Sequence, residues 1–194
     1  MQPVNRKSRF VTVLKDPAFI SLLVINGMLM VLYRRDIDNA STILFTYYLQ
    51  SVIIGILHFI RLLKLKGSGW PVAGFFAIHY GLFHFVYLIF LGPMLTEIPG
   101  NVEMPLLGAS VIGFLGGGIA ELIEKRARDQ KIPPVPGLLF FQPYLRIVPV
   151  HLFIMSAFLD FAPEKFLFFL VLKTGADLLT YILFKKPAEQ TVIA

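Results

Sequence analysis

Titratable side chains lie inside several of the most apolar stretches of this sequence. The stretch HYGLFHF places His79 and His84 within a run that is otherwise hydrophobic, and two later runs contain His151, Lys173 and Asp177. A polar group in hydrocarbon without a partner costs several kcal/mol, so each of these side chains needs a partner, a cavity or a proton pathway. Two imidazoles and a carboxylate can bind zinc, iron or copper, and they can also relay protons.

Four of the titratable groups lie at a similar depth when residues are counted from one end of each apolar run. At about 1.5 Å per residue, the groups at positions 58, 79, 151 and 177 lie roughly 7–14 Å into the membrane. We therefore predict one intramembrane polar site, which combines histidines, an acid and two cations: His79, His151, Lys173, Asp177 and Arg146.

This polar site admits three interpretations. In the first, His79, His151 and Asp177 bind a divalent transition metal as cofactor, with His58 as a further ligand. In the second, the same groups bind a ligand or a proton. In the third, they form only interhelical hydrogen bonds and a Lys173–Asp177 pair at i,i+4 spacing, each contributing roughly 0.6–2 kcal/mol.

His84 is predicted to lie apart from this site. It follows His79 by five residues, so on a straight helix the two rings point about 140° apart. Its position is also about 7 Å further along the helix axis, beyond the layer shared by the other groups. We expect His84 to face a neighbouring helix and to serve packing.

The composition predicts that these residues belong to an integral membrane protein. Of 194 residues, 56% are hydrophobic and 15% are charged, and there is no cysteine. This balance is too apolar for an ordinary soluble domain, and long runs without charge favour helices over a β-barrel. Thiolate metal sites, disulfides and cysteine nucleophiles are excluded. The basic residues lie between the apolar runs instead of forming one stripe, so nucleic acid is not an expected partner.

Six apolar runs predict an all-α, six-helix membrane bundle that forms a single domain over residues 1–194. A transmembrane helix needs about 20 apolar residues. The predicted helices cover residues 17–33, 41–63, 70–92, 104–123, 144–161 and 166–184. The segment GLLFF, between the fourth and fifth runs, is expected to lie in the headgroup boundary as an elbow, because three nearby prolines interrupt a continuous helix.

The distribution of basic residues predicts the orientation in the membrane. Lys and Arg concentrate on the cytoplasmic side of membrane proteins. Thirteen of them flank one side of the six runs, whereas the other side has only Arg34, Arg35 and Lys165. We therefore expect a multi-pass protein of the cell (inner) membrane, with the lipid bilayer as its main partner and with both termini cytoplasmic.

A stripe of small residues follows one face of the fourth run. Ala109, Gly113 and Gly117 are spaced four residues apart, which lets another helix backbone approach closely. The stripe predicts close helix packing, and a homo-oligomer formed through these residues is one way to use it.

Four motifs resemble a family of uncharacterised prokaryotic integral membrane proteins. They are YYLQSVIIG, HYGLFHF, PYLRIVPVH and LKTGADLL, and the resemblance runs from about Tyr47 to Leu179. In that family the positions of Gln50 and Ser51 tend to hold an acidic residue followed by Asn. The resemblance implies that the His-Tyr-Gly motif belongs with Arg146 and with the polar residues of the last two runs, but it supplies no reaction.

A shorter likeness, over about thirty residues, is to rhomboid proteases. HFVYLIFLGPMLTE is similar to a rhomboid second helix, and GASVIGFLGGG is similar to the helix of the nucleophile, which would be Ser110. The last run contains no histidine to act as base, which would leave Lys173 for that role, and a serine without a positioned base is a weak nucleophile. This likeness therefore implies a rhomboid-like protein that lacks protease activity.

Two functional classes follow from the sequence. The first is a membrane protein whose buried polar site binds a metal, a ligand or a proton. The second is a scaffold or assembly protein, in which the same polar residues fix the register of the helices and bind nothing.

Overall fold

The computed structural model describes residues 17–65, 69–97, 100–131, 134, 136–159 and 163–184. Within these ranges the regular secondary structure is helical throughout, as the all-α prediction requires. The helices are α1 (Pro17–Arg35), α2 (Ala40–Leu63), α3 (Gly69–Glu97), α4 (Met104–Lys131), α5 (Pro136–Phe141), α6 (Tyr144–Leu159) and α7 (Pro163–Phe184). A 3₁₀ turn, Ile37–Asn39, joins α1 to α2.

Four of these helices are long and apolar enough to cross a membrane. The qualifying segments are Ala40–Leu63, Gly69–Pro93, Met104–Lys131 and Lys165–Leu183. The helix α6 has 16 residues, which is shorter than the roughly 20 that a straight transmembrane helix needs. Length and composition therefore support four of the six predicted spans, and α1 and α6 are not in this set.

The outward faces of the long helices carry large apolar side chains. Ile78 on α3 is 76% exposed, Ile112 on α4 is 73% exposed, and Phe168 on α7 is 65% exposed. Exposed aliphatic and aromatic surface of this extent is unfavourable in water and favourable against lipid chains. The fold thus suggests a lipid environment. The basic residues of both termini, on which the orientation partly depends, lie outside the described residues.

Two apolar cores lie at opposite ends of α2 and α3, and the polar residues lie between them. The first core packs Leu44 and Tyr47 of α2 with Leu91 of α3 and residues of α1 and α7. The second packs Leu62 of α2 with Phe76 of α3 and residues of α5 and α6. The polar residues Gln50 and Ser51 of α2, His84 of α3, Lys173 and Asp177 of α7, and His151 of α6 occupy the intervening layer.

The sequence predicts that the GLLFF segment is a surface elbow, but the structure buries part of it. It forms part of α5, where Leu139 is 4% exposed and belongs to the second core. Phe140 packs edge-on against Phe76 of α3, with ring centroids 5.8 Å apart. Leu139 and Phe140 therefore pack against protein, whereas Phe141 is 63% exposed. As a result, α6 begins beside the middle of α3 instead of beside its start.

The loop before α4 depends on a glycine whose backbone most residues cannot adopt. Gly100 has a φ of +89°, and a Cβ placed there would overlap the backbone of Asp38. The same loop is joined to α2, because the Glu103 N–H donates to the Thr42 hydroxyl at 2.9 Å.

Gly100→Ala should therefore destabilise the protein by about 1–3 kcal/mol, combining an unfavourable φ with steric overlap. Gly69→Ala is the control, because Gly69 also has a positive φ of 60° but a Cβ there would meet only Pro71, at 3.6 Å. Thermal unfolding in detergent, followed by circular dichroism, measures both. Equal losses in the two variants would show that the overlap with Asp38 has no effect.

Candidate functional site

Lys173 and Asp177 form a buried ion pair on α7. Their spacing of four residues places them on one helix face, and the Lys173 ammonium donates to the Asp177 carboxylate. The ammonium also donates to Gln50 Oε1 of α2 at 2.9 Å and lies 4.8 Å from the centre of the Tyr47 ring. Lys173 is 4% exposed and Asp177 is fully buried. Each charge in this cluster therefore has at least one strong electrostatic partner.

Arg146 approaches the same carboxylate from α6. Its Nε lies 3.9 Å from Asp177 Oδ1, which is within ion-pair range but too far for a hydrogen bond. Both atoms are buried and have no hydrogen-bond partner among the described residues. Asp177 therefore serves two cations, bonding directly to Lys173 and only electrostatically to Arg146.

Two further ion pairs lie at the end of the bundle where α2 ends. Arg61 binds both carboxylate oxygens of Asp129 on α4, at 2.7 and 2.9 Å, and donates to Gln142 Oε1 at 3.2 Å. Lys125 binds Glu121 on α4 at 2.7 Å. The guanidinium of Arg61 is thereby fully engaged, since each of its three nitrogens has an acceptor.

A cavity of about 110 Å³ opens beside these pairs, between α1, α2, α4, α6 and α7. Apolar residues and glycines form much of its wall. The polar side chains that line it include Gln50, His58, Arg61, Glu121, Lys125, Gln142 and Arg146. A second space of about 10 Å³, sufficient for about one water molecule, is lined by Ser51, Lys173 and the same Gln50 and Arg146. Gln50 and Arg146 therefore line both spaces.

The structure places His79 with Tyr144 instead of with His151. Its Nδ1 lies 2.6 Å from the Tyr144 hydroxyl, and its ring stacks on Phe75, with centroids 5.7 Å apart. His79 is only half-buried. Tyr144, at the start of α6, thus occupies the position that depth counting assigns to His151.

The ring that faces His151 belongs to His84, with centroids 6.2 Å apart. The two His151 nitrogens lie 3.2 Å from the Ile147 carbonyl and 3.1 Å from the Phe83 carbonyl. A neutral imidazole can donate to one of these oxygens, whereas an imidazolium can donate to both. His84 therefore lies beside His151, although depth counting predicts that it lies beyond the layer of the other groups.

His84 also links α3 to α2. Its Nδ1 lies 2.9 Å from the Tyr80 carbonyl and its Nε2 lies 2.8 Å from Ser51 Oγ. The Ser51 hydroxyl also lies 2.7 Å from the Tyr48 carbonyl, and its single proton can go either to that carbonyl or to His84 Nε2. Sequence reasoning assigned no role to Ser51, although a Gln-Ser pair within an apolar helix is itself a signal of buried polar contacts.

The predicted metal ligands are not assembled. Across the described ranges, no group of three or more His, Cys, Asp or Glu side chains could hold a metal ion. The contacts of His79, His151 and Asp177 go to Tyr144, to backbone carbonyls and to Lys173, respectively. His58 lies elsewhere, beside Phe76, with ring centroids 5.0 Å apart, and lines the larger cavity. The metal interpretation therefore has no support here.

Ser110 does not form the dyad that the rhomboid likeness would need. It is 5% exposed, and its hydroxyl has no hydrogen-bond partner within the described part of the chain. Lys173, the remaining candidate for the general base, instead donates hydrogen bonds to Gln50 and Asp177.

The small-residue stripe of α4 mainly serves the interior of this chain. A Cβ at Gly113 would lie 3.6 Å from Ile25 of α1, and both Gly113 and Gly117 line the larger cavity. Ala109 is exposed. Of this stripe, only Gly113 lies close to α1, since a Cβ at Gly117 would meet no atom within 4 Å, and nothing in the structure bears on a homo-oligomer.

Comparison with known proteins gives one match. A family model described as "Family of unknown function (DUF6498)" matches residues 12–193. No curated protein and no solved structure matches this chain. The match agrees with the resemblance to an uncharacterised family, and the comparisons contain no support for a rhomboid relationship.

Proposed function

We propose that this chain, which belongs to the DUF6498 family of unknown function, crosses the cell membrane six times and binds a small polar solute inside its bundle. The site is the cavity of about 110 Å³ together with the buried Lys173–Asp177–Arg146 cluster behind it. The chain acts as one domain, and the family resemblance supplies no reaction.

The proposal of six spans adds α1 and the α5–α6 segment to the four long apolar helices. The helix α1 has 19 residues, and its residues Leu29 and Tyr33 lie in the core shared with α2 and α7. The helix α6 is short, but α5 precedes it within the bundle and extends the path of the chain. With six spans, the thirteen basic residues fall on one side, which makes that side and both termini cytoplasmic.

The observation that carries the binding proposal is a cavity within the bundle whose wall includes buried charged side chains. Ionisable residues at membrane depth are costly and usually mark a solute pathway or a binding site. Here Arg146 and Lys173 are both more than nine-tenths buried, and Arg146 lines a cavity that has room for several water molecules. Packing alone would be better served by apolar side chains that fill this volume.

The absence of cysteine from the sequence makes the cavity directly testable. Gly117 lines the cavity, whereas the adjacent Gly116 is exposed on the outer face of α4, and a Cβ at either position meets no atom within 4 Å. Gly117→Cys should react about tenfold faster or more with a hydrophilic maleimide than Gly116→Cys, because only a hydrated thiol ionises readily.

The labelling should also depend on the side from which the reagent is added. Inverted membrane vesicles expose the cytoplasmic face, and we expect fast labelling of Gly117→Cys there and slow labelling in intact cells. Equal, slow labelling of both variants from both sides would show a dry cavity. That result would favour the scaffold alternative, in which the polar residues only fix helix register.

A further inference from the structure

The charges around the cavity do not cancel. Arg61 is paired with Asp129, Lys125 with Glu121, and Lys173 with Asp177. Arg146 is the remaining cation in this group, and its nearest carboxylate is the one already bound to Lys173. The buried cluster of Arg146, Lys173 and Asp177 therefore carries one positive charge more than it has negative charges.

Two buried nitrogen atoms beside the cavity have no partner within the described residues. They are Arg146 Nε and His58 Nε2, and their residues are 8% and 7% exposed. Both side chains line the cavity. Arg146 Nε always carries a proton, and a buried donor without an acceptor is unfavourable, so a protein normally satisfies it with water or a ligand. His58 Nε2 is a donor in only one tautomer of the neutral ring.

We infer that the solute bound in this cavity is a phosphate-type oxyanion, held by Arg146. This inference rests on the proposed function, because it states the chemical class of the solute proposed there. A guanidinium matches the oxygens of a phosphate group in both charge and geometry. A single oxyanion supplies the missing negative charge and gives an acceptor to Arg146 Nε.

The phosphate group can come from two sources with the same chemistry. It can be the headgroup of an anionic phospholipid, since basic pockets between transmembrane helices on the cytoplasmic side bind such headgroups. It can also be free phosphate in the cytoplasm. The cavity, at about 110 Å³, accommodates a phosphate group in either case.

The test uses the full-length chain after removal of endogenous lipid. In one arm the protein in phosphatidylcholine nanodiscs is titrated with inorganic phosphate, and binding is followed by calorimetry. In the other arm, native mass spectrometry from detergent counts bound phosphatidylglycerol. The variant is Arg146→Gln, and the matched control is Arg126→Gln, because Arg126 is exposed on α4 and is not among the lining residues.

Arg146→Gln should weaken binding about tenfold or more in the arm that holds the true ligand, since a buried charge-assisted contact is lost. Arg126→Gln should stay within about twofold of wild type, as expected for a surface charge. The variant should fold, because Asp177 keeps its direct bond to Lys173. An unchanged unfolding temperature before ligand is added verifies this.

Two results would overturn the inference. Equal binding by wild type and Arg146→Gln would show that the site does not use this guanidinium. No binding in either arm would show that the ligand is not a phosphate-type anion. In both cases, fast labelling of Gly117→Cys from the cytoplasmic side would still support the proposed solute site. Slow labelling would contradict both the solute site and the phosphate ligand.

Discussion

Replacing Asp177 by Asn should lower the free energy of unfolding by about 3–5 kcal/mol, as expected when one partner of a buried ion pair is removed. The expected loss is large because this carboxylate lies within ion-pair range of two buried cations, Lys173 and Arg146. Without it, both cations stay in a low-dielectric layer with no opposite charge. Thermal unfolding in detergent measures the loss, and Glu124→Gln, at an exposed position on α4, is the control.

The two members of the ion pair should not be equivalent. Lys173→Met leaves Asp177 with Arg146 nearby, so its stability loss should be smaller than that of Asp177→Asn. The double variant Lys173→Met/Asp177→Leu removes both charges and should be more stable than Asp177→Leu alone. If the double variant lost as much stability as Lys173→Met and Asp177→Leu added together, the coupling between these two charges would be absent.

Gly55→Ala should destabilise the crossing of α2 and α3 by about 1–3 kcal/mol through overpacking. A Cβ at Gly55 would overlap the ring of Tyr80, with Cδ1 only 2.8 Å away. That ring cannot easily move, because its hydroxyl donates to the Ser51 carbonyl at 2.7 Å and its face stacks on His84, with centroids 4.3 Å apart. Displacement of the Tyr80 ring should therefore also disturb Ser51 and His84.

The matched control for this substitution is Gly74→Ala on α3, where a new Cβ meets no atom within 4 Å. It should be neutral or stabilising, since alanine favours helix over glycine by about 1 kcal/mol. A Gly55→Ala/Tyr80→Ala variant should show strong coupling between the two sites. Similar unfolding temperatures for Gly55→Ala and Gly74→Ala would contradict the steric argument.

The sequence predicts those features that depend on local spacing. Long apolar runs predict the starts of the four long helices to within three residues, because lipid favours helix over every other open structure. The helices α3 and α4 continue five and eight residues beyond their predicted ends, into more polar sequence. The four-residue separation of Lys173 and Asp177 gives their contact, because such residues share a helix face. Both results need only the geometry of one helix.

The pairing of histidines needs relations between helices, which local spacing does not contain. Depth counting assumes that every run begins at the same level of the membrane, but α5 fills that level and α6 begins opposite His79 and Tyr80 of α3. Every residue of α6 is thereby displaced relative to α3, which brings His151 beside His84. The hydroxyl of Tyr144 then becomes the partner of His79.

In the proposed six-span topology, the short α6 has a consequence for how the chain enters the membrane. A helix of 16 residues that contains Arg146 and Pro149 is a poor substrate for insertion on its own, because it is shorter than the roughly 20 residues that span a bilayer. A charged residue adds a cost of up to about 2.5–3.5 kcal/mol at the centre of a span. The helix α7 carries Lys173 and Asp177 and faces a similar penalty. We expect α6 and α7 to leave the translocon as one hairpin with their charges already in contact, so biogenesis of the last two helices and assembly of the polar cluster are a single event.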